Sequence, residues 1–258
     1  MASPSKSTFL PVQPKTLPSR QVVQFTNLRK SHLLSLALIA SLAIVAVGGL
    51  TSLAGRAGSP ALKTPVPDPG FDSPRASVAG KETMVVAGGC FWGVQAVFEQ
   101  VKGVLSATSG YAGGPQPASY EMVSTGQTGH AESVKIVYDA SRISYGQLLK
   151  IFFSVVHDPT QLNAQGPDTG TQYRSAIFYT NATQQKIAKA YIDQLSAAKA
   201  FRGRIVTEVS PLKQFYDAEG YHQDYFFHHP LAPYIVINDK PKVDAFKQQF
   251  PELFVEHK

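Results

Sequence analysis

The sequence predicts an α+β domain, a mixed β-sheet with helices packed on it and long loops between them. Three observations lead there. From Lys81 onward, short apolar or alternating runs interleave with longer amphipathic stretches, so strands and helices share one core. Ala131-Glu132-Ser133-Val134-Lys135-Ile136-Val137-Tyr138 alternates with period two, the mark of a half-buried strand. Residues 108–130 and 157–174 are long and dense in Gly, Ser, Thr, Asp and Tyr, and loops of that length in a compact domain carry function.

In chain order, residues 83–88 form a strand, because Thr83-Met84-Val85-Val86-Ala87 is a short continuous apolar run. Residues 91–101 form a helix with Val94, Val97, Phe98 and Val101 on one face. Strands follow at 104–110 and 131–138. Ser144 starts a helix over 144–156 that turns Leu148, Leu149, Phe152 and Val155/Val156 inward. A strand at 175–180 leads to a helix over 182–200 with Ile187, Tyr191, Leu195 and Ala198 at helical spacing. A strand at 205–210 and a helix at 241–249 complete the set.

The N-terminal third has a different composition. Residues 1–32 are rich in Ser, Pro, Lys and Arg with no acid, and are expected to be disordered. Leu33 to Gly55 is 23 uncharged, mostly apolar residues, long enough to span a bilayer. Arg20, Arg29 and Lys30 precede it and place the N-terminus in the cytoplasm. The expectation is a single-pass signal anchor with the folded domain extracytoplasmic; a cleaved signal peptide and an organelle transit peptide remain open. Residues 56–80 read as a flexible Pro/Gly/Ser-rich linker, and 81–258 as the folded domain.

The net charge of +6 belongs to the tail. Residues 1–80 hold eight Lys/Arg against two acids, whereas 81–258 hold 16 of each sign. A neutral domain of this kind is not a nucleic-acid binder. A monomer is expected.

Cys90 is the one cysteine in 258 residues. A lone thiol closes no internal disulfide, so any redox cycle through it needs an outside reductant. One reading of such a residue is a small buried hydrophobe. Its neighbours give another: strand, Gly88-Gly89, Cys90, then helix. Glycine permits a sharp turn and close approach, and the free N–H groups at a helix start favour a thiolate.

Five stretches occur in order: Gly89-Cys90-Phe91-Trp92-Gly93, Ser119-Tyr120, Thr128-Gly129-His130-Ala131-Glu132, Gly170-Thr171-Gln172-Tyr173-Arg174-Ser175 and Tyr221-His222-Gln223-Asp224-Tyr225. Together they resemble the A-type peptide methionine sulfoxide reductases, from about Met84 to Pro230. The stretch from Pro233-Tyr234-Ile235 resembles the plant and cyanobacterial branch, and residues 1–80 show no resemblance.

The resemblance implies a ferredoxin-like, split βαβ core and reduction of the S epimer of methionine sulfoxide, free or in oxidised proteins, as repair under oxidative stress. By position, Cys90 would attack the sulfoxide sulfur and become a sulfenic acid. Glu132 would protonate the oxygen from an apolar pocket that keeps it neutral. Tyr120 and Tyr173 would hydrogen-bond the oxygen, Phe91 and Trp92 would hold the methyl group, and Asp168 and His222 would grip substrate backbone at the edge. No bound cofactor or metal is implied. Many relatives carry further cysteines that resolve the sulfenic acid; here Ser124 stands in the Gly-rich loop, so an external thiol is expected, thioredoxin or glutaredoxin with glutathione. Three other functions stand beside this one. They are a cysteine hydrolase using His130 or His222 as base, a metal protein using His222, His228 and His229, and a redox sensor that oxidises without turnover.

Overall fold

The computed structural model describes residues 65–257. The expected basic segment 1–32, the apolar segment 33–55 and the first part of the linker, 56–64, lie outside the described residues. Among the described residues, no helix is long and apolar enough to cross a membrane.

The strands and helices are β1 (Lys81–Gly88), α1 (Phe91–Glu99), β2 (Val104–Ala112), α2 (Tyr120–Ser124), β3 (Ala131–Asp139), α3 (Tyr145–Ile151), β4 (Ala164–Gln165), β5 (Asp168–Thr169), β6 (Ser175–Tyr179), α4 (Ala182–Ala197), β7 (Glu208–Pro211), β8 (Phe215–Asp217), α5 (Tyr225–His228) and α6 (Lys240–Gln249). Short 3₁₀ turns at Thr171–Tyr173 and Gly220–His222 and π-helical turns at Phe152–Val156 and Ile235–Asp239 punctuate them.

The main sheet runs β7-β6-β1-β3-β2-β8. β1 pairs antiparallel with both β3 and β6, β2 pairs antiparallel with β3 and β8, and β7 is parallel to β6. The unit β1-α1-β2 is therefore split by β3, and β3-α3-β6 is split by β1. This is the expected ferredoxin-like core. β1 is the centre of the sheet, which is why its apolar run does not alternate: Met84 to Gly88 are buried on both faces.

Period two still decides which core each residue joins. Met84 and Val86 belong to the large cluster, with Val94, Val97 and Phe98 of α1, Leu148 and Leu149 of α3, Ile187, Tyr191 and Leu195 of α4, and Val243 and Phe246 of α6. Val85 and Ala87 face the other way, onto Ala112, Ala131, Ala176 and Phe178. Ser144 caps α3 as expected: its hydroxyl accepts from Gln147 N at 3.2 Å and Gln147 Oε1 accepts from Ser144 N at 3.2 Å.

Three readings shift. The helix expected over 144–156 is α-helical only to Ile151 and then widens into the π turn. The helix expected over 182–200 ends at Ala197, and Lys199 takes a left-handed φ of 49° that closes it. The described part of the expected linker, 65–80, is a strap laid on the domain. Val66 is buried, Tyr191 Oη donates to Pro67 O at 2.7 Å, Gly70 N donates to Gln194 Oε1 at 2.7 Å, and Gly146 N donates to Asp72 Oδ1 at 2.8 Å. Its Pro/Gly/Ser content carries extended backbone, and the fold supplies the partners.

Candidate active site

Cys90 occupies the N-cap of α1, two residues beyond the end of the central strand. Gly89 makes the turn with φ +89°, and a Cβ there would lie 2.5 Å from Gln165 Cγ. Both the backbone angle and the space demand glycine. Gly93 is needed for space alone: a Cβ would stand 2.1 Å from Asp239 Oδ1. The Gly-Cys-Phe-Trp-Gly stretch thus brings the first turn of α1 against two neighbouring segments.

A cleft of about 210 Å³ opens on Cys90, lined by Phe91, Trp92, Tyr120, Glu132, Asp168, Tyr173 and Tyr234. Glu132 enters from β3, where its register partner is Tyr111 of β2. Its Oε2 accepts from Phe91 N at 3.1 Å, and its side chain is buried. Burial pushes its pKa up to about 8, against the pull of the Phe91 N–H, with the charges of Asp168 and Asp239 adding to the rise. At neutral pH Glu132 is a carboxylic acid with a proton to give.

The tyrosines are also kept protonated. Burial raises the Tyr173 and Tyr120 pKa values, and the Glu132 carboxyl raises them further. Both remain phenol donors. Tyr120 begins the short helix α2, whose first N–H donates to Glu219 Oε1 at 2.9 Å, while Tyr111 Oη donates to Glu219 Oε2 at 2.8 Å. Tyr173 ends its 3₁₀ turn beside Arg174. That guanidinium reaches Thr171 O at 2.8 Å, Gly129 O at 3.0 Å and Glu208 Oε2 at 3.1 Å. It ties the Tyr173 loop to the start of β3.

Trp92 forms one wall. Its ring stacks on Tyr225 at 3.8 Å and meets Tyr234 edge-on at 5.7 Å. Its indole N–H donates to His222 Nδ1 at 3.1 Å. Tyr234 Oη in turn donates to Asp168 Oδ2.

A buried thiol beside a neutral acid, phenol donors and an aromatic wall fits a pocket for a small polar S=O group. The family model for peptide methionine sulfoxide reductase matches residues 82–253. The chain belongs to the peptide methionine sulfoxide reductase family. It is 60% identical over 178 residues to peptide methionine sulfoxide reductase MsrA 2 of Mesorhizobium japonicum, covering 69% of this chain and 91% of that protein. It is 53% identical over 190 residues to the MsrA 2 of Synechocystis, covering 72% and 89%. The latter agrees with the cyanobacterial branch expected from Pro233-Tyr234-Ile235. Among solved structures, methionine sulfoxide reductase A of Corynebacterium diphtheriae superposes with a TM-score of 0.52 at 36% identity, covering 69% of this chain and 88% of that one. Reduced Mxr1 of Saccharomyces cerevisiae gives 0.53 at 32% identity, covering 60% and 92%.

For this member of the reductase family, the cleft gathers seven of the eight residues singled out from sequence: Cys90, Phe91, Trp92, Tyr120, Glu132, Asp168 and Tyr173. His222 is the exception. It is 2% exposed, stands outside the lining of this cleft and accepts the Trp92 indole N–H. The expected thiolate also needs correction. Burial, Glu132 and Asp239 together drive the Cys90 pKa well above its ordinary value, and the Trp92 N–H and Lys242 pull it down by less. Desolvation thus outweighs the helix N-terminus and favours the protonated thiol. Sequence reasoning missed Tyr234, although it sits within the Pro233-Tyr234-Ile235 stretch that marks the branch. It missed Glu219 altogether, because an acid on a loop carries no local sign that it caps a tyrosine helix.

Proposed function

We propose that this chain reduces the S epimer of methionine sulfoxide, free or in oxidised polypeptides, to methionine, with Cys90 as nucleophile and Glu132 as acid. The Cys90 sulfur attacks the sulfoxide sulfur while Tyr120 and Tyr173 hydrogen-bond the oxygen. Glu132 gives its proton to that oxygen and, as a carboxylate, takes up the thiol proton. The protonated oxygen then passes from the substrate sulfur to the Cys90 sulfur as the transient bond between the two sulfurs breaks, which leaves a sulfenic acid on Cys90 and a thioether product. Two electrons pass from the cysteine to the sulfoxide, and no net proton is consumed. Phe91 and Trp92 receive the methyl group; Asp168, tethered by Tyr234, faces the polar end of the substrate.

The observation that carries this reading is the Glu132 carboxyl, buried, joined to the Phe91 N–H and held neutral in the same cleft as Cys90. A hydrolase needs an imidazole at the thiol instead. His222 is engaged by Trp92, and His130 packs on Tyr216 at 5.6 Å. Of the histidines in the metal reading, His222 is the one that the Trp92 indole engages, and His229 lies against the Tyr225 ring, tilted, with centroids 4.2 Å apart.

With one cysteine in the chain, an external thiol resolves the sulfenic acid. One thiol forms a mixed disulfide and releases water; a second thiol frees Cys90. Thioredoxin, with two thiols in one protein, fits that sequence, and glutaredoxin with glutathione is the other reductant class. Residues 33–55 support a membrane anchor that holds a monomeric domain on the extracytoplasmic side; a removable signal or transit segment is the alternative, and N-terminal sequencing of the mature chain separates them.

The test is a single turnover on each separated epimer of a methionine sulfoxide peptide without reductant. One methionine per chain from the S epimer, with one sulfenic acid trapped on Cys90, is expected. Methionine from neither epimer, with Cys90 still a thiol, would overturn the reading in favour of the sensor or hydrolase.

A further inference from the structure

Beneath the first turn of α1 lies an ion pair sealed from water. Lys242 Nζ is 2.9 Å from Asp239 Oδ1, with 4% and 0% of the two side chains exposed. Asp239 ends the π turn and Lys242 stands in the first turn of α6. The pair presses on Gly93, three residues after Cys90: a Cβ at Gly93 would lie 2.1 Å from Asp239 Oδ1 and 3.0 Å from Lys242 Nζ.

Lys242 also shares a second recess with Cys90, apart from the cleft wall formed by Tyr120 and Tyr173. This recess measures about 10 Å³ and is lined in part by Gln165, Tyr234 and Asn238. That is room for about one water-sized oxygen, too little for a sulfoxide and its carbon substituents. Lys242 therefore reaches the reaction through Cys90.

Stability does not explain the pair. Burying two ions costs desolvation that their attraction often fails to recover, and an apolar replacement of both is commonly neutral or better. Here Asp239 Oδ2 has no hydrogen-bond partner, so the pair is not fully satisfied. What the pair does have is a fixed place beside a nucleophile that must pass through an anion.

We propose that Lys242 is a positioning residue for the cysteine chemistry, its ammonium fixed by Asp239 as the counter-charge to the Cys90 sulfur, and that Asp239 limits how much of that charge the sulfur receives. The proposal rests on the reductase reading for its purpose. Glu132 from β3 and Asp239 from the π turn oppose the anion; the Trp92 N–H from α1 and Lys242 from α6 favour it. Tyr120, Tyr173, Tyr234 and Asp168 face the same sulfur across the cleft as neutral phenols and a carboxyl group. Lys242 itself faces Asp239, Cys90 and Asp168, and it opposes protonation of the buried His157. Burial, Glu132 and Asp239 raise the thiol and the Trp92 N–H and Lys242 lower it, so within this balance Lys242 is the cation and Asp239 the carboxylate that is paired with it.

The two members of the pair act with opposite sign, and this separates an electrostatic role from packing. The experiment measures the rate of iodoacetamide alkylation of Cys90 against pH in the full chain, without sulfoxide, for Lys242→Met and Asp239→Asn. Lys242→Met is expected to move the midpoint up and slow alkylation about tenfold at pH 8; Asp239→Asn is expected to move it down and speed alkylation by a similar factor. A Lys242→Met midpoint equal to wild type, or both midpoints moving the same way, would overturn the proposal. If Lys242→Met does not fold, Asp239→Asn decides alone: a lower midpoint supports the role, and an unchanged or higher one defeats it. Alkylation needs no sulfoxide, so a failure of the reductase reading would appear separately, as absent turnover with the opposite shifts intact.

Discussion

The backbone N–H of Phe91 donates to Glu132 Oε2 at 3.1 Å, so the acid on β3 is fixed to the residue that follows the nucleophile on α1. One hydrogen bond thereby sets the spacing between a proton donor and a sulfur from elements 41 residues apart. Glutamine at 132 would keep the carbonyl that accepts this bond and lose the proton. Glu132→Gln should therefore fold normally and lose about 10²-fold or more in the sulfenic-acid step. Retention of near wild-type single-turnover rates would remove Glu132 from the mechanism.

The same residue makes stability depend on pH. Its pKa is about 8 in the folded protein, against an ordinary glutamate value of 4.5. Between those values the fold holds a proton that the unfolded chain releases, so stability falls as pH rises through that window and levels off above it. The loss should approach about 3 kcal/mol at pH 7. Glu132→Gln should flatten that slope. Turnover, which needs the protonated acid, should also decline as pH rises through about 8. Equal slopes of unfolding free energy against pH for the two proteins would contradict the assignment.

Much of this was legible in the sequence, and the gaps have physical causes. β3 announced itself by alternation because Lys135, Val137 and Asp139 are only partly buried between fully buried Val134, Ile136 and Tyr138, and β1 by an apolar run because it is central. The Gly89–Cys90 turn was legible because glycine before a helix start has few other uses. The contact of His222 with the Trp92 indole was not legible, because the motif fixes where the histidine sits along the chain and not which ring it meets. Lys242 and Asp239 drew no reading of their own from the sequence, since nothing local shows that α1 covers them. The strap at 65–80 read as a linker because its few anchors, Val66 and Asp72 among them, are contacts made at a distance of more than 70 residues.

Gly89→Ala tests the turn. Alanine there must adopt φ +89° and push its Cβ into Gln165, whose amide bridges Asp158 N and Asp158 O at 3.1 Å each. The left-handed angle alone costs about 1–2 kcal/mol, and the contact forces Gln165 or Cys90 to move. Stability should fall by about 2 kcal/mol or more, and activity should fall further than Tm suggests, because the displaced group is the nucleophile. An active Gly89→Ala protein with an unchanged Tm would show that the turn has slack that this geometry does not allow.

Trp92→Phe separates the wall from the chemistry. Phenylalanine preserves a ring for the methyl group and stacking on Tyr225, but removes the N–H that His222 Nδ1 accepts. His222 already has Nε2 without a partner, so the change leaves both nitrogens unsatisfied at about 1–3 kcal/mol. KM should rise about tenfold with a smaller change in kcat. Burial lowers the His222 pKa, and the indole N–H favours the neutral ring, so the variant's imidazole should titrate at higher pH by NMR. An unmoved His222 titration would mean that the indole does not hold this histidine.

The strap sets where the domain begins. A chain starting at residue 81 would lose Val66 from the core, the Asp72 carboxylate that accepts from Ser144 Oγ and Gly146 N at the start of α3, and the Pro67 carbonyl that accepts from Tyr191 Oη. Burial of a valine contributes about 1.5 kcal/mol, each buried hydrogen bond about 1 kcal/mol, and the exposed Lys150–Asp68 pair almost nothing. Together these come to about 3–5 kcal/mol, which for a domain of this size lowers Tm by roughly 10 °C. None of the strap residues lines the Cys90 cleft, so single-turnover activity at 25 °C should persist in the shortened chain. Asp72→Ala in the longer chain should give about 1–2 kcal/mol of that loss through the α3 terminus alone. Equal Tm values for chains beginning at residues 65 and 81 would return residues 65–80 to the role of linker.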